Sequence, residues 1–170
     1  NESGGDDLSE DQKRLYATQL IAQAATAKQV MDQMVMSGSN FNNIDFTLPS
    51  DPTFNNAPVI HQFYHPAGGG MVYKAPTTPP FLTTATPSHG WYVSNRSNVA
   101  WTPTTANDVM FSAYAIDIGV CNYINKLITG NEAAIPNELG TSQRILFANY
   151  GSAQQLEISR CANCNGYSQL

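Results

Sequence analysis

Near the start of the chain, apolar residues recur at spacings of 3, 4, 3, 4 and 3: Ala17, Leu20, Ala24, Ala27, Met31 and Met34. That period places one seam along a helix, and Ile21, Val30 and Val35 widen it into a face. Ser9, followed three residues later by Gln12, reads as an N-cap with its capping-box partner. Ser37-Gly38-Ser39-Asn40 ends the run, so the pattern predicts one long amphipathic helix over 9–36. Its three alanines allow a neighbouring element to approach closely.

From 41 to 103 the texture changes to short apolar runs broken by Pro, Gly and Asn. The runs 44–48, 59–65, 70–75, 90–94 and 98–102 read as strands. Asn95-Arg96-Ser97 between the last two is short enough for a hairpin loop, with Trp91, Val93, Val99 and Trp101 on its period-2 faces. The Pro/Thr stretch 74–87 cannot sit in a central strand. A second helix over about 105–129 is predicted from Thr105 with Asp108 at its start. Val109, Ala113, Ile116, Val120, Tyr123 and Leu127 then form the seam, and Gly130 stands at the C-cap. The runs 144–150 and 154–160, separated by Gly151-Ser152-Ala153, read as a terminal hairpin. No repeat is present. The order helix, strands, helix, strands predicts an α+β fold with an antiparallel sheet.

Composition narrows the classes. The 170 residues hold 8 basic and 13 acidic side chains, a net charge of −5, and only 12% charged residues in all. Lys and Arg are scattered singly, with no basic stripe to neutralise nucleic-acid phosphates or dock on anionic lipid. No stretch approaches the roughly 18 apolar residues of a membrane span. Polarity comes from Asn, Thr, Ser and Gln, as in many secreted and surface proteins. Residues 1–8 are acidic and glycine-bearing and read as a flexible segment without signal-peptide character, ahead of one domain over 9–170.

A long amphipathic helix, then an antiparallel sheet, then cysteines near the C-terminus resembles the globular domain of a bacterial type IV pilin-like surface protein. The stretches that carry the resemblance are 1–34, "FYHPAGGGMVY" at 63–73 and "VCNYINKLITG" at 120–130. It implies a hydrophobic segment ahead of the acidic start, which this sequence does not contain. It also implies a filament subunit without catalytic chemistry. Relatives of that kind carry a further cysteine pair, one just after the first helix and one just before the "FYHP" run. Here Ser37–Ser39 and His61 occupy those regions.

Cys161 and Cys164 form a C-x-x-C that could serve zinc, redox chemistry or a structural disulfide. With His61 and His65 it makes a formal Cys₂His₂ set. In a strand, however, those histidines would lie about 13 Å apart. Redox use needs a helix after the motif to lower the thiol pKa, and the six residues after Cys164 are too few. A structural disulfide in an oxidising compartment is the reading favoured. Cys121 bonded to Cys161 or Cys164 and a local Cys161–Cys164 bond both remain open, each leaving one thiol over. The pilin resemblance implies the long-range bridge from Cys121. "HPAGGG" at 65–70 lacks the lysine and following helix of a phosphate loop and reads as a turn. His89 and the scattered aspartates lack partners at catalytic spacing, and no calcium-loop motif occurs.

Composition and layout, with the filament implied by the pilin resemblance, lead to an exported, non-enzymatic subunit or accessory of a bacterial extracellular filament, with no cofactor and with self-association or other pilin-like subunits as its partners. The helix seam Ala17, Leu20, Ala24, Ala27, Met31 and Met34 packs on its own sheet by default. Alternatively it contacts equivalent helices. A carbohydrate- or surface-binding module using the Trp91 and Trp101 face is the runner-up. A zinc-dependent hydrolase is the third reading.

Overall fold

The structure is a computed structural model that describes residues 8–83, 89–99, 106, 108–132, 154–156 and 167–169. Two helices, α1 (Glu10–Met36) and α2 (Ile118–Thr129), accompany strands β1 (Gly90–Val99), β2 (Asp108–Tyr114), β3 (Gln154–Leu156) and β4 (Tyr167–Gln169). The fold is α+β: a long N-terminal helix, a second helix and an antiparallel pair, β1 and β2. The predicted flexible segment 1–8 lies outside the described residues except for Leu8.

α1 begins where the capping chemistry places it. Ser9 Oγ accepts from Gln12 N–H at 3.3 Å, and Gln12 Oε1 accepts from Ser9 N–H at 2.9 Å, closing the reciprocal box. Gly38, at φ +102°, turns the chain away, while Ser39 N–H bonds the Met34 carbonyl at 2.9 Å. Five of the six seam residues are buried; Ala24 is half-buried.

The seam feeds two core clusters. Ala17 and Leu20 pack with Phe81, Ala113, Ile116, Val120, Cys121 and Ile124. Ala27, Met31 and Met34 pack with Ile44, Phe63, Met71 and Phe111. Trp91 borders both clusters, stacked on Phe111 at 4.6 Å between ring centroids.

The second helix starts later than its periodicity suggests. Residues 108–114 are β2, paired antiparallel with β1 from Gly90↔Tyr114 to Ser94↔Met110. "VMFSAY" is rich in β-formers, and Phe111, Ser112, Ala113 and Tyr114 are buried in succession. A strand covered on both faces loses its alternation. Its apolar positions then fell in phase with those of α2 and imitated one seam. Ala115, at φ +60°, breaks the chain direction. Asp117 is the true N-cap, its Oδ1 accepting from Gly119 N–H at 2.8 Å and Val120 N–H at 3.2 Å. Gly130 does end the helix, left-handed at φ +77°.

The predicted hairpin over 90–102 does not form. Residues 90–99 are one strand, with a register irregularity between Ser94 and Ser97 where the turn was expected. An irregularity absorbs an extra residue without reversing the chain. The strand order is β3-β1-β2-β4, with β3 parallel to β1 and β4 antiparallel to β2. The parallel edge departs from the all-antiparallel sheet expected. Of the predicted terminal hairpin, 144–153 and 157–160 lie outside the described residues.

Nor are 44–48, 59–65 and 70–75 strands. Only one isolated parallel bridge, Asp45↔Gln62, joins the first two. Val59–His61 is a 3₁₀ turn, and prolines bracket the segment at 58 and 66. Backbone groups are satisfied locally: Gly69 N–H donates to the Gln62 carbonyl at 2.9 Å, and both Gly68 and Gly70 donate to His65.

Candidate functional site

The loop 59–71 is held against the C-terminal half of α1. Phe63 is fully buried, tilted on Phe46 at 5.0 Å and edge-on to Tyr64 at 4.9 Å. A Cβ at Gly68 would lie 2.3 Å from the Gln62 carbonyl oxygen, and one at Gly69 would lie 2.5 Å from that of Phe63. Two of the three glycines of "HPAGGG" are therefore there for close backbone approach, and Gly70, at φ +66°, for its turn. Burial and the neighbouring Tyr73 push the Tyr64 phenol up to about 12.

The histidines are not related as on a strand, so the 13 Å separation argument does not apply to them. His61 Nδ1 is 2.9 Å from Ser39 Oγ, and His65 Nδ1 accepts from Ala67 N–H at 3.1 Å. The Ser39–His61 contact sits where the pilin resemblance implies a cysteine pair. No three His, Cys, Asp or Glu side chains converge on a metal position among the described residues. Cys121 is buried in the first cluster and is disulfide-bonded. Cys161 and Cys164, the ends available to it, lie outside the described residues.

Trp101 also lies outside them. Trp91 is half-buried, edge-on to Phe81 at 6.4 Å, and opposite Ala113 in the sheet. Much of its surface thus belongs to the core. What remains lines a groove of about 690 Å³ between α1 and the 70–81 segment. Buried Leu20, Met71 and Phe81 share that groove with the polar side chains of Gln19, Gln23 and Lys74.

A second cavity, of about 260 Å³, opens beside the Asp45↔Gln62 bridge. Asn43, Asp45, Thr53, Asn56, His61 and Gln62 are among its lining residues. Gln62 is 3% exposed, and its Oε1 has no hydrogen-bond partner among the described residues. The sequence carried no sign of this cavity: Asp45, His61 and Gln62 were assigned to two strands, and Asn43, Thr53 and Asn56 to no element.

Comparison with known families, with characterised proteins and with solved structures returns no match. No described helix is long and apolar enough to cross a membrane.

Proposed function

We propose that the chain is a structural subunit or accessory of a bacterial extracellular filament, of pilin-like architecture, exported and without catalytic activity. One observation carries the reading. A 27-residue capped helix, α1, opens the domain and lends a single seam to two successive core clusters. This is the spine-and-sheet layout expected of a filament subunit. Because that seam is spent inside the domain, contacts between copies would use outward apolar residues such as Leu15, Ile118 and Ile128, which are 53%, 49% and 62% exposed. In this reading the Cys121 disulfide runs to Cys161 or Cys164 and fastens the C-terminal region to α2. Immunogold electron microscopy of the source cells tests the proposal. Antibody raised on this domain should decorate fibres along their length, and antigen found only as dispersed monomer would overturn it.

A second reading rests on the groove beside Trp91. Its aromatic and amide lining suits a neutral saccharide, which stacks on rings and hydrogen-bonds to amides. Binding on a glycan array, lost in Gln23→Ala with the melting temperature unchanged, would favour this module over the filament subunit.

A further inference from the structure

We propose that the cavity beside the Asp45↔Gln62 bridge is a site for a hard divalent cation of the Ca²⁺ class. The inference does not depend on filament assembly. It starts from the bridge itself: Asp45 N–H donates to the His61 carbonyl at 2.8 Å, and Phe63 N–H donates to the Asp45 carbonyl at 2.8 Å. Bridge partners project to the same side of a ladder. The carboxylate of Asp45 and the amide of Gln62 are accordingly neighbours, and both line the cavity.

Both neighbours present oxygen. Asp45 Oδ1 is occupied by Thr47, accepting its N–H at 2.9 Å and its hydroxyl at 2.6 Å. Oδ2 has no hydrogen-bond partner among the described residues. The orientation of the Gln62 amide is set by Nε2, which donates to the Asn56 carbonyl at 3.3 Å. Exchanging its ends would set two acceptors against each other, so Oε1 is left as the unpartnered atom. A buried acceptor without a donor costs about 1–3 kcal/mol. A carboxylate and a buried amide with an unmet oxygen, on bridge-partner residues that line one cavity, make a place suited to a positive charge.

The kind of cation follows from the ligands. Carboxylate, amide and hydroxyl oxygens are hard donors and suit Ca²⁺ or Mg²⁺ rather than thiophilic metals. Thr53 adds a hydroxyl whose proton is committed to Asp51 Oδ1 at 2.6 Å, leaving its oxygen lone pairs available. Mg²⁺ requires a tight octahedron, whereas Ca²⁺ accepts irregular sets of about six to eight oxygens at about 2.3–2.6 Å. The mixed donors and about 260 Å³ of space, enough for coordinating water, favour Ca²⁺. With a single carboxylate the affinity belongs at the weak, extracellular end, about 10⁻⁴–10⁻³ M.

Isothermal titration of the metal-free full chain with CaCl₂ tests this, with MgCl₂ and methylammonium chloride titrated in parallel. One equivalent of Ca²⁺ is expected, bound more tightly than either competitor, together with a rise in melting temperature. Asp45→Asn should weaken binding at least tenfold. Gln62→Met deletes the orphaned oxygen and with it the 3.3 Å Nε2 bond to the Asn56 carbonyl. Relief of the unmet acceptor offsets that bond, so the variant should lose Ca²⁺ binding while melting close to wild type in metal-free buffer. That pairing separates loss of a ligand from loss of the fold. Absence of binding, retention of wild-type affinity by both variants, or tighter binding of Mg²⁺ or methylammonium would overturn the proposal.

Discussion

Replacing Gly68 or Gly69 by alanine adds one methyl group to a surface loop, a change that costs little in most loops. Here it should cost far more. The Cβ of Gly68→Ala would lie 2.3 Å from the Gln62 carbonyl oxygen and 2.6 Å from that of Val59. In Gly69→Ala the Phe63 carbonyl oxygen would be 2.5 Å away, Met34 Sδ 2.8 Å and Val30 Cγ1 2.9 Å. Side chains can retreat, but the carbonyls are fixed by hydrogen bonds within the loop, Gly69 N–H to Gln62 at 2.9 Å and Met71 N–H to Phe63 at 3.1 Å. Overpacking of this kind costs about 1–3 kcal/mol, and the carbonyl contacts place both variants at the upper end. At about 2–4 °C per kcal/mol for a domain of this size, each should melt about 4–12 °C below wild type. Gly70→Ala is the control. It meets nothing within 4 Å but sits at φ +66°, so only the left-handed backbone penalty of about 1–2 kcal/mol applies. Differential scanning calorimetry should rank the losses as Gly68→Ala and Gly69→Ala above Gly70→Ala. If either of the first two melts with wild type, or Gly70→Ala is the worst, the close-approach account of "HPAGGG" is wrong.

Ser9→Ala removes the acceptor that holds Gln12 N–H, and should cost about 1 kcal/mol, measurable by urea denaturation. Non-reducing peptide mapping should recover Cys121 joined to Cys161 or Cys164, and a Cys161–Cys164 peptide alone would refute that pairing. Cys121→Ser then opens a loop of about 40 residues and should lose about 3–4 kcal/mol. Alkaline pH tests Tyr64, whose phenol ionises at about 12 rather than its ordinary 10.0 because burial, then Tyr73, disfavours the charged form. The folded chain holds this proton where the unfolded chain has released it. The associated stability is complete below pH 10 and is lost as pH rises toward about 12. Allowing for the part of the ring that solvent reaches, the loss should be about 1–2 kcal/mol. Tyr64→Phe should abolish that share of the alkaline decline.

How far the elements could be read from sequence follows from how local their causes are. The boundaries of α1 are set by Ser9, Gln12 and Gly38, whose effects reach only a few residues, so the predicted 9–36 and observed Glu10–Met36 agree. Gly130 ended α2 for the same reason. The start of α2 failed because Asp117 caps with no Glu or Gln three residues on, while the buried strand before it mimicked helical spacing. Asn95-Arg96-Ser97 failed as a turn because β1 found its partner in β2, a pairing that local turn chemistry does not encode.

The candidate site was harder to read than the fold for a related reason. Motifs visible in the chain, such as C-x-x-C and H-x₃-H, are defined by spacing alone, and the chemistry they suggest holds only if the backbone between them has the assumed shape. His61 and His65 illustrate this: with a 3₁₀ turn in place of a strand, each imidazole is occupied by a near neighbour, Ser39 or Ala67. The cavity oxygens follow the opposite logic. Asp45 and Gln62 share no recognisable spacing and become neighbours only through one parallel bridge. The fold made that juxtaposition, and burial then left the Gln62 Oε1 without a donor. An unmet acceptor is a stronger guide to binding than a spacing, because its cost recurs in every folded molecule until a ligand or water meets it.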